Sequence, residues 1–213
     1  MSAQDVVILV HGLWVHGVVM TPLRRRIARC GYRAVSYSYP SMRLTLAENV
    51  ERLAQFCRSL DAAKLHFVGH SLGGLVVLGM LERAPELHAG RIVLAGVPFS
   101  GSFAAQRLAR LPGGRAALGR SIPEWLTGAK TEWGRHDIGV IAGSIPIGLG
   151  RLVAPDLPRP NDGVVCVAET RLPAMREQIV LNVNHTGMLL SAAVARQVCA
   201  FLRHGAFLKE REA

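Results

Sequence analysis

The sequence of 213 residues has few aromatic side chains and no long apolar run. Aromatic residues make up 6% of it, whereas nucleic-acid-binding modules usually interleave aromatic side chains with basic clusters. No window of the sequence approaches about 18 uninterrupted apolar residues, which argues against a membrane-spanning helix. The first apolar stretch, residues 6–10, is preceded by no basic segment and is too short for a signal-peptide core. We therefore expect a soluble, cytoplasmic protein.

Metal and redox motifs are also missing. The cysteines show no C-x-x-C spacing, so a metal site or a redox pair has little support. Small buried thiols in a reducing compartment explain them better. We expect neither a metal ion nor a cofactor. The four cysteines are Cys30, Cys57, Cys166 and Cys199.

The charge of the chain is strongly positive and is carried by arginine. There are 25 Lys and Arg against 15 Asp and Glu, which gives a formal net charge of +10, and three of the basic residues are lysine. Such a surplus attracts anionic partners such as phospholipid surfaces, nucleic acid or phosphate-bearing acyl thioesters. A general bias toward arginine, spread over a solvated surface, explains it without any partner. The one dense cluster lies at residues 24–29. We expect no nucleic-acid partner and at most a weak contact with an anionic membrane surface, while the oligomeric state stays open.

Strand-like runs alternate with helix-like patterns along the chain. This alternation predicts βαβ units and a parallel sheet, and almost wholly apolar runs are typical of strands that helices cover on both faces. With 50% hydrophobic residues, a single domain over residues 1–213 can bury its own core. The predicted strands are residues 6–10, 33–37, 65–68, 91–95, 138–142 and 179–183, and the predicted helices are residues 21–30, 46–60, 72–84 and 189–202.

Residues 98–135 are the irregular part of the chain. They carry apolar side chains such as Phe99, Phe103, Trp125 and Trp133, interrupted by Pro-Gly-Gly at 112–114. A long crossover of this kind could form a small lid over a site. It could equally be one crossover helix with a loop.

The most informative stretch is Gly69-His70-Ser71-Leu72-Gly73, which reads G-x-S-x-G between a predicted strand and a predicted helix. In such a nucleophile elbow the chain turns so sharply that the serine adopts a strained backbone conformation with its hydroxyl exposed. Small residues are needed two positions before and after it, because a Cβ there would collide with neighbouring chain. A glycine-rich strand-to-helix turn also occurs without such a role.

A serine hydroxyl is a weak nucleophile, so it needs a base, an acid that orients the base, and donors for the oxyanion. His185 follows the last predicted strand, and Asp162 lies between Ser71 and His185, which gives the chain order Ser, Asp, His. The oxyanion donors predicted by this arrangement are the backbone N–H groups of Leu72 and Leu13, the latter in the loop after the first strand. Simpler interpretations remain: His185 could cap the final helix, and Asp162 could belong to a plain Asn-Asp-Gly turn.

Other polar residues near the predicted strand ends are weaker candidates. His70 adjoins Ser71, but successive residues at an elbow diverge, and His11 is expected to stabilise its own loop. Asp137 precedes a strand, whereas active groups collect beyond the carboxyl ends of parallel strands; Asp156 is also a weaker acid. Glycine-rich residues 143–150 lack the Gly-Lys-Ser/Thr ending of a phosphate-binding loop, which favours a close-packed loop near the site.

Four motifs together resemble the α/β-hydrolase superfamily, and within it bacterial lipases and esterases. They are His-Gly-Leu at 11–13, Gly-His-Ser-Leu-Gly-Gly at 69–74, Asn-Asp-Gly-Val-Val at 161–165 and Asn-His at 184–185, and the resemblance covers residues 6–202. It implies a compact α/β-hydrolase fold with about six mostly parallel strands, flanking helices and a small or minimal lid. It also implies acyl transfer to water through a serine ester intermediate, without metal or cofactor. The acyl-pocket candidates are Trp14, Phe99, Phe103 and Trp125.

The sequence thus predicts a serine hydrolase that cleaves carboxylic esters of modest acyl length with Ser71, Asp162 and His185. An acyl thioesterase or a phospholipid acylhydrolase is the alternative within enzymes, supported only by the basic surface. A non-catalytic interaction protein with a hydrolase fold is the alternative outside enzymes.

Overall fold

The computed structural model describes residues 4–87, 89–127, 136–173 and 175–209. Their centre is a six-stranded sheet in which every neighbouring pair of strands is parallel. The strands are β1 (Val6–Val10), β2 (Arg33–Tyr37), β3 (Leu65–His70), β4 (Ala89–Ala95), β5 (Ile138–Gly143) and β6 (Glu177–Leu181). Their spatial order is β2-β1-β3-β4-β5-β6. The predicted parallel sheet is confirmed, although β6 begins and ends two residues before the run predicted for it.

Helices cover both faces of the sheet. Among the described residues they are α1 (Thr21–Arg29), α2 (Leu46–Arg58), α3 (Leu72–Arg83), α4 (Phe103–Ala109), α5 (Gly114–Ala117), α6 (Ser121–Thr127), α7 (Gly150–Val153) and α8 (Ala192–His204). None of these helices is long and apolar enough to cross a bilayer.

The alternation of side chains along each strand divides the core into two layers. Val6, Ile8 and Val10 of β1 pack on one face of the sheet with residues of α2 and α3. Val7 and Leu9 pack on the other face with residues of α1 and α8. All five are fully buried, which explains why β1 reads as a continuous apolar run rather than an alternating one.

Local signals determine where the longer helices begin and end. Thr45 and Glu48 form a reciprocal capping box at the start of α2, which satisfies backbone N–H groups that have no partner within the helix. Ser191 accepts a hydrogen bond from the Val194 N–H and caps α8, whose other end is closed by Gly205 at φ 71°.

The irregular segment contains three short helices, α4, α5 and α6, as far as it is described. Glu124 of α6 accepts hydrogen bonds from the backbone N–H groups of Leu46 and Ala47, at the start of α2. The segment is thus tied to the main fold at that helix. Its last part, residues 128–135 with Trp133, lies outside the described residues, and the lid interpretation stays a prediction.

The expectation that all four cysteines are buried free thiols is wrong for two of them. Cys30, after α1, and Cys199, in α8, form a disulfide that joins residues 169 positions apart. The two helices pack against each other over β1 and β4, which brings the sulfur atoms together although nothing in their spacing indicates it. Cys57 and Cys166 are free buried thiols, as expected, and burial raises the pKa of both thiols to about 12.

Candidate active site

The predicted site residues lie on segments that leave the carboxyl ends of the strands. Ser71 directly follows β3, Asp162 lies between β5 and β6, and His185 is four residues beyond β6. Because all six strands are parallel, these ends meet at one edge of the sheet. The fold therefore collects there three residues that the sequence separates widely.

Ser71 occupies a sharp turn from β3 into α3. Its φ of 53° and ψ of −129° lie in a region that non-glycine residues rarely adopt. The turn requires glycine on both sides: a Cβ on Gly69 would overlap the Cα of Gly74, and one on Gly73 would overlap the carbonyl oxygen of Val10. The G-x-S-x-G pattern here has the backbone geometry of a nucleophile elbow.

Asp162 and His185 are joined by a buried hydrogen bond. His185 Nδ1 lies 2.7 Å from Asp162 Oδ2, and their side chains are 9% and 1% exposed. A carboxylate only accepts hydrogen bonds, so Nδ1 donates here, and in a neutral imidazole Nε2 is then the nitrogen with the free lone pair. Oδ1 of Asp162 accepts from the N–H groups of Val164 and Val165 at 2.9 and 2.7 Å. Asp162 therefore both builds its turn and orients His185.

Gly96 links Ser71 to the Asp162–His185 pair. The Ser71 N–H donates to the carbonyl of Ala95 at 3.0 Å, and Gly96 follows with φ +59°. A Cβ on Gly96 would lie 3.0 Å from His185 Nδ1 and 3.1 Å from Asp162 Oδ2. The absence of a side chain there lets the pair approach the end of β4.

The loop after β1 is held against Ser71 by a buried histidine. His11 Nε2 accepts from the Tyr39 N–H at 3.2 Å, which leaves the proton on Nδ1 to donate to the Gly12 carbonyl at 2.8 Å. The Tyr39 hydroxyl donates to the His11 carbonyl at 2.8 Å. Burial lowers the pKa of His11. A Cβ on Gly12 would lie 2.9 Å from the Cβ of Ser71, so this backbone directly borders the serine.

The His70 side chain contacts His185 rather than Ser71. Its Nε2 lies 3.0 Å from the backbone carbonyl of His185, and since a carbonyl only accepts, Nε2 must be the protonated nitrogen. Nδ1 is buried and has no hydrogen-bond partner among the described residues. Burial, reinforced by the nearby His185, lowers the pKa of His70 to about 3. His70 is thus a neutral donor.

The family assignment rests on nearly the whole chain. The sequence profile of the Alpha/beta hydrolase family matches residues 7–203. The chain belongs to the α/β-hydrolase family. No curated protein sequence matches it.

Solved structures share this fold at low sequence identity. The mature lipase BlEst2 of Bacillus licheniformis is 17% identical, with a TM-score of 0.79 over 97% of this chain and 94% of that one. The metagenomic carboxyl esterase MGS0156 is 20% identical, with a TM-score of 0.66 over 87% of this chain and 65% of that one. Phospholipase PlaB of Legionella pneumophila is 16% identical, with a TM-score of 0.60 over 79% of this chain and 44% of that one. These likenesses support the fold.

The remaining acidic candidates of this α/β hydrolase are engaged elsewhere. Asp137 pairs with Arg176 at 2.9 Å and Arg91 at 3.7 Å, just before β5 and hence at the opposite edge of the sheet. Asp156 pairs with Arg107 on the surface. The described residues contain no group of three or more His, Cys, Asp or Glu side chains placed to hold a metal ion.

The four acyl-pocket candidates have different surroundings. Phe99 and Trp125 are buried in the core layer that contains α2 and α3. Phe103 is half-buried and lines a cavity of about 150 Å³ with Gln106, Arg107 and Arg110. Trp14 is half exposed, has φ 64°, and donates through its indole Nε1 to the Ala117 carbonyl at 2.7 Å.

Sequence reasoning missed two residues that shape this edge of the α/β hydrolase. Gly96 could have been noticed, since it directly follows β4, much as Gly12 follows β1 with one residue between. Glu169 gave no signal in the sequence: its carboxylate accepts from the N–H groups of Phe103 and Cys166, which fastens the start of α4 to the Asp162 segment. Burial raises the pKa of Glu169.

Proposed function

We propose that this protein is a serine hydrolase that cleaves carboxylic esters of modest acyl length. The observation that carries the proposal is the buried 2.7 Å hydrogen bond between His185 and Asp162 beside a serine held at φ 53°. If Asp162 and His185 formed only a structural ion pair, the strained backbone of Ser71 would have no explanation. Nor would the glycines that let the pair approach Ser71. Strain of this kind persists only where the surrounding structure imposes it.

In the proposed reaction Ser71 Oγ attacks the ester carbonyl carbon while His185 Nε2 takes the hydroxyl proton. The tetrahedral intermediate collapses when His185 returns this proton to the leaving alkoxide, which departs as the alcohol. Water then attacks the acyl-serine ester and loses a proton to His185, which passes it to Ser71 Oγ as the ester bond breaks and the acid is released. Asp162 holds the imidazole in the tautomer that these steps need. No hydrogen bond joins the Ser71 hydroxyl to His185 among the described residues, and such a contact commonly tightens only when substrate is bound.

The proposed oxyanion donors are the backbone N–H groups of Leu13 and Leu72. Leu72 is the first residue of α3, where the N–H has no partner within the helix and points outward. Leu13 follows Gly12, whose backbone borders Ser71. Two such donors aimed at the developing charge stabilise the transition state by several kcal/mol, about 3 to 4 for one donor.

The acyl group is proposed to lie along Trp14 and Phe103, with Phe99 and Trp125 packed behind them. Trp14 belongs to the same loop as Leu13, and Phe103 begins α4, which Glu169 ties to the Asp162 segment. The hydrophobic wall of this pocket would be completed from residues 98–135, which are proposed to act as a small lid.

The decisive experiment is Ser71→Ala with an aryl ester as substrate and a fluorophosphonate as label. Loss of a triad member costs about 10³-fold or more in rate, so both hydrolysis and labelling should vanish while the fold is retained. Ser59→Ala is the control, because Ser59 is an exposed serine at the end of α2. Unchanged turnover in Ser71→Ala would refute the proposal, and absent labelling of the native protein would favour a non-catalytic role.

A further inference from the structure

Among the described residues, most of the large exposed apolar side chains lie at the edge of the sheet that carries Ser71. Six large ones, from 49% to 79% exposed, lie on segments that leave the carboxyl ends of β1, β5 and β6. Single exposed apolar residues are ordinary on protein surfaces, but a set collected around one site marks an interaction surface. We call this set the apolar rim: Trp14, Val18, Ile147, Leu149, Leu152 and Leu190.

Each part of the apolar rim is fastened to a residue of the site. Trp14 is two residues from Gly12, which borders Ser71. The loop that carries Ile147 and Leu149 packs on Gly163, next to Asp162, because a Cβ on Gly163 would overlap the Ile147 backbone. Leu190 directly follows the short helix Gly187–Leu189 after His185. The rim therefore lies on the loops that carry or contact Gly12, Asp162 and His185, at the edge of the sheet where Ser71 lies.

The segments that carry the rim, and the segment that carries α4 and α5, contain no acidic residue. Residues 11–20, 96–123, 144–153 and 182–191 contain no Asp or Glu. Three arginines on them, Arg110, Arg115 and Arg151, form no ion pair with any described residue. Guanidinium groups bind phosphate oxygens in pairs of hydrogen bonds.

We propose that this edge docks on an anionic phospholipid surface and presents Ser71 to it. Leucine and isoleucine side chains gain free energy by entering the acyl layer, while unpaired arginines beside them meet lipid phosphates. A single-stranded nucleic acid would gain little from aliphatic side chains, since its bases stack on aromatic ones. A second copy of the chain docked on this edge would place its own arginines against those of the first, and like charges repel each other.

The test uses the full chain carrying Ser71→Ala, so that docking is measured without hydrolysis and does not depend on the proposed function. The protein is sedimented with vesicles of phosphatidylglycerol and phosphatidylcholine, or of phosphatidylcholine alone. Binding should require phosphatidylglycerol and should weaken at high salt. No binding to phosphatidylglycerol vesicles would overturn the proposal.

Matched variants locate the surface. Leu149→Ser with Leu152→Ser should lower the vesicle partition coefficient at least tenfold. Val180→Ser with Leu208→Ser should change it less than twofold, because these side chains are similarly exposed, at 48% and 51%, but lie outside the rim. Equal effects of the two pairs would contradict docking through the rim.

Two further comparisons distinguish other occupants. Arg110→Glu with Arg115→Glu should weaken binding to phosphatidylglycerol vesicles, whereas Arg25→Glu with Arg29→Glu on α1 should not. The reverse result would place the contact on α1 and overturn the proposal. A dimer in analytical ultracentrifugation that Leu149→Ser with Leu152→Ser abolishes would assign the rim to a second copy, which also overturns it.

Discussion

The side chain of His70 is hydrogen-bonded to the backbone of His185. His70 Nε2–H donates to the His185 carbonyl at 3.0 Å, while the His185 N–H donates to the Asp162 carbonyl at 2.9 Å. The rings of the two histidines lie 4.7 Å apart. The backbone that carries the proposed base is therefore held from both sides, once by the residue that precedes Ser71.

Replacing His70 should impair turnover without impairing substrate binding. A lost hydrogen bond to a buried carbonyl costs about 1 to 3 kcal/mol, so His70→Leu should lower kcat by about 5- to 150-fold while KM stays within twofold. His70→Gln should recover most of the loss, because its amide nitrogen reaches about as far as Nε2. Kinetics with an aryl ester, well below the Tm of each variant, measure this. A kcat in His70→Leu equal to that of the native protein would show that His70 does not position the base.

The stability of the protein should fall below about pH 6.5, and His70 should account for part of the loss. The pKa of His70 is lowered from 6.5 to about 3, so between these values the unfolded chain binds a proton that the folded chain does not. Each such proton contributes about 1.4 kcal/mol per pH unit to the slope of the unfolding free energy. Urea unfolding from pH 4.5 to 7.5 should show a slope smaller by up to this amount in His70→Gln. Burial lowers the pKa of His11 and His66 as well, so some acid sensitivity should remain; identical slopes would refute the assignment to His70.

A methyl group at Gly96 should abolish hydrolysis by displacing the base and its acid. Gly96→Ala places a Cβ 3.0 Å from His185 Nδ1, which is tighter than most Cβ contacts, so His185 must shift by a few tenths of an ångström. Gly113→Ala is the matched control, because Gly113 also has a positive φ, 71°, but nothing within 4 Å of its Cβ position. Both variants suffer backbone strain of about 1 kcal/mol or more, so their melting temperatures should fall together, whereas only Gly96→Ala should lose kcat/KM by about 100-fold or more. Equal activity of the two would contradict the proposed role of the pair.

The Cys30–Cys199 disulfide should contribute measurably to stability. Because it closes a loop of 169 residues, removing it should cost about 2 to 4 kcal/mol of unfolding free energy. Denaturant unfolding of the Cys30→Ser, Cys199→Ser double variant measures this. Dithiothreitol should destabilise the native protein by a similar amount and leave the double variant unchanged. Insensitivity of the native protein to dithiothreitol would show that the bond is absent in solution.

Much of the fold could be predicted from the sequence because its signals are local. The strands β1 and β2 match their apolar runs to the residue, and α3 begins at Leu72, directly after the serine that the glycine pattern indicates. Only β6 was shifted, since its amino end, Glu177 and Gln178, is polar and carries no apolar signal. That strand forms the edge of the sheet, where burial constrains the sequence less.

The sequence by itself determined the elbow, the strand positions and the chain order of Ser71, Asp162 and His185, because short-range sterics and apolar periodicity act within a few residues. Only the tertiary structure decided which groups meet. The Asp162–His185 bond spans 23 positions, the His70–His185 contact 115 and the disulfide 169. Whether residues so far apart in the sequence meet depends on the order of the strands and on the packing of helices against them. No local sequence pattern encodes either. The arrangement of the apolar rim around Ser71 has the same origin, since it joins loops that share only an edge of the sheet.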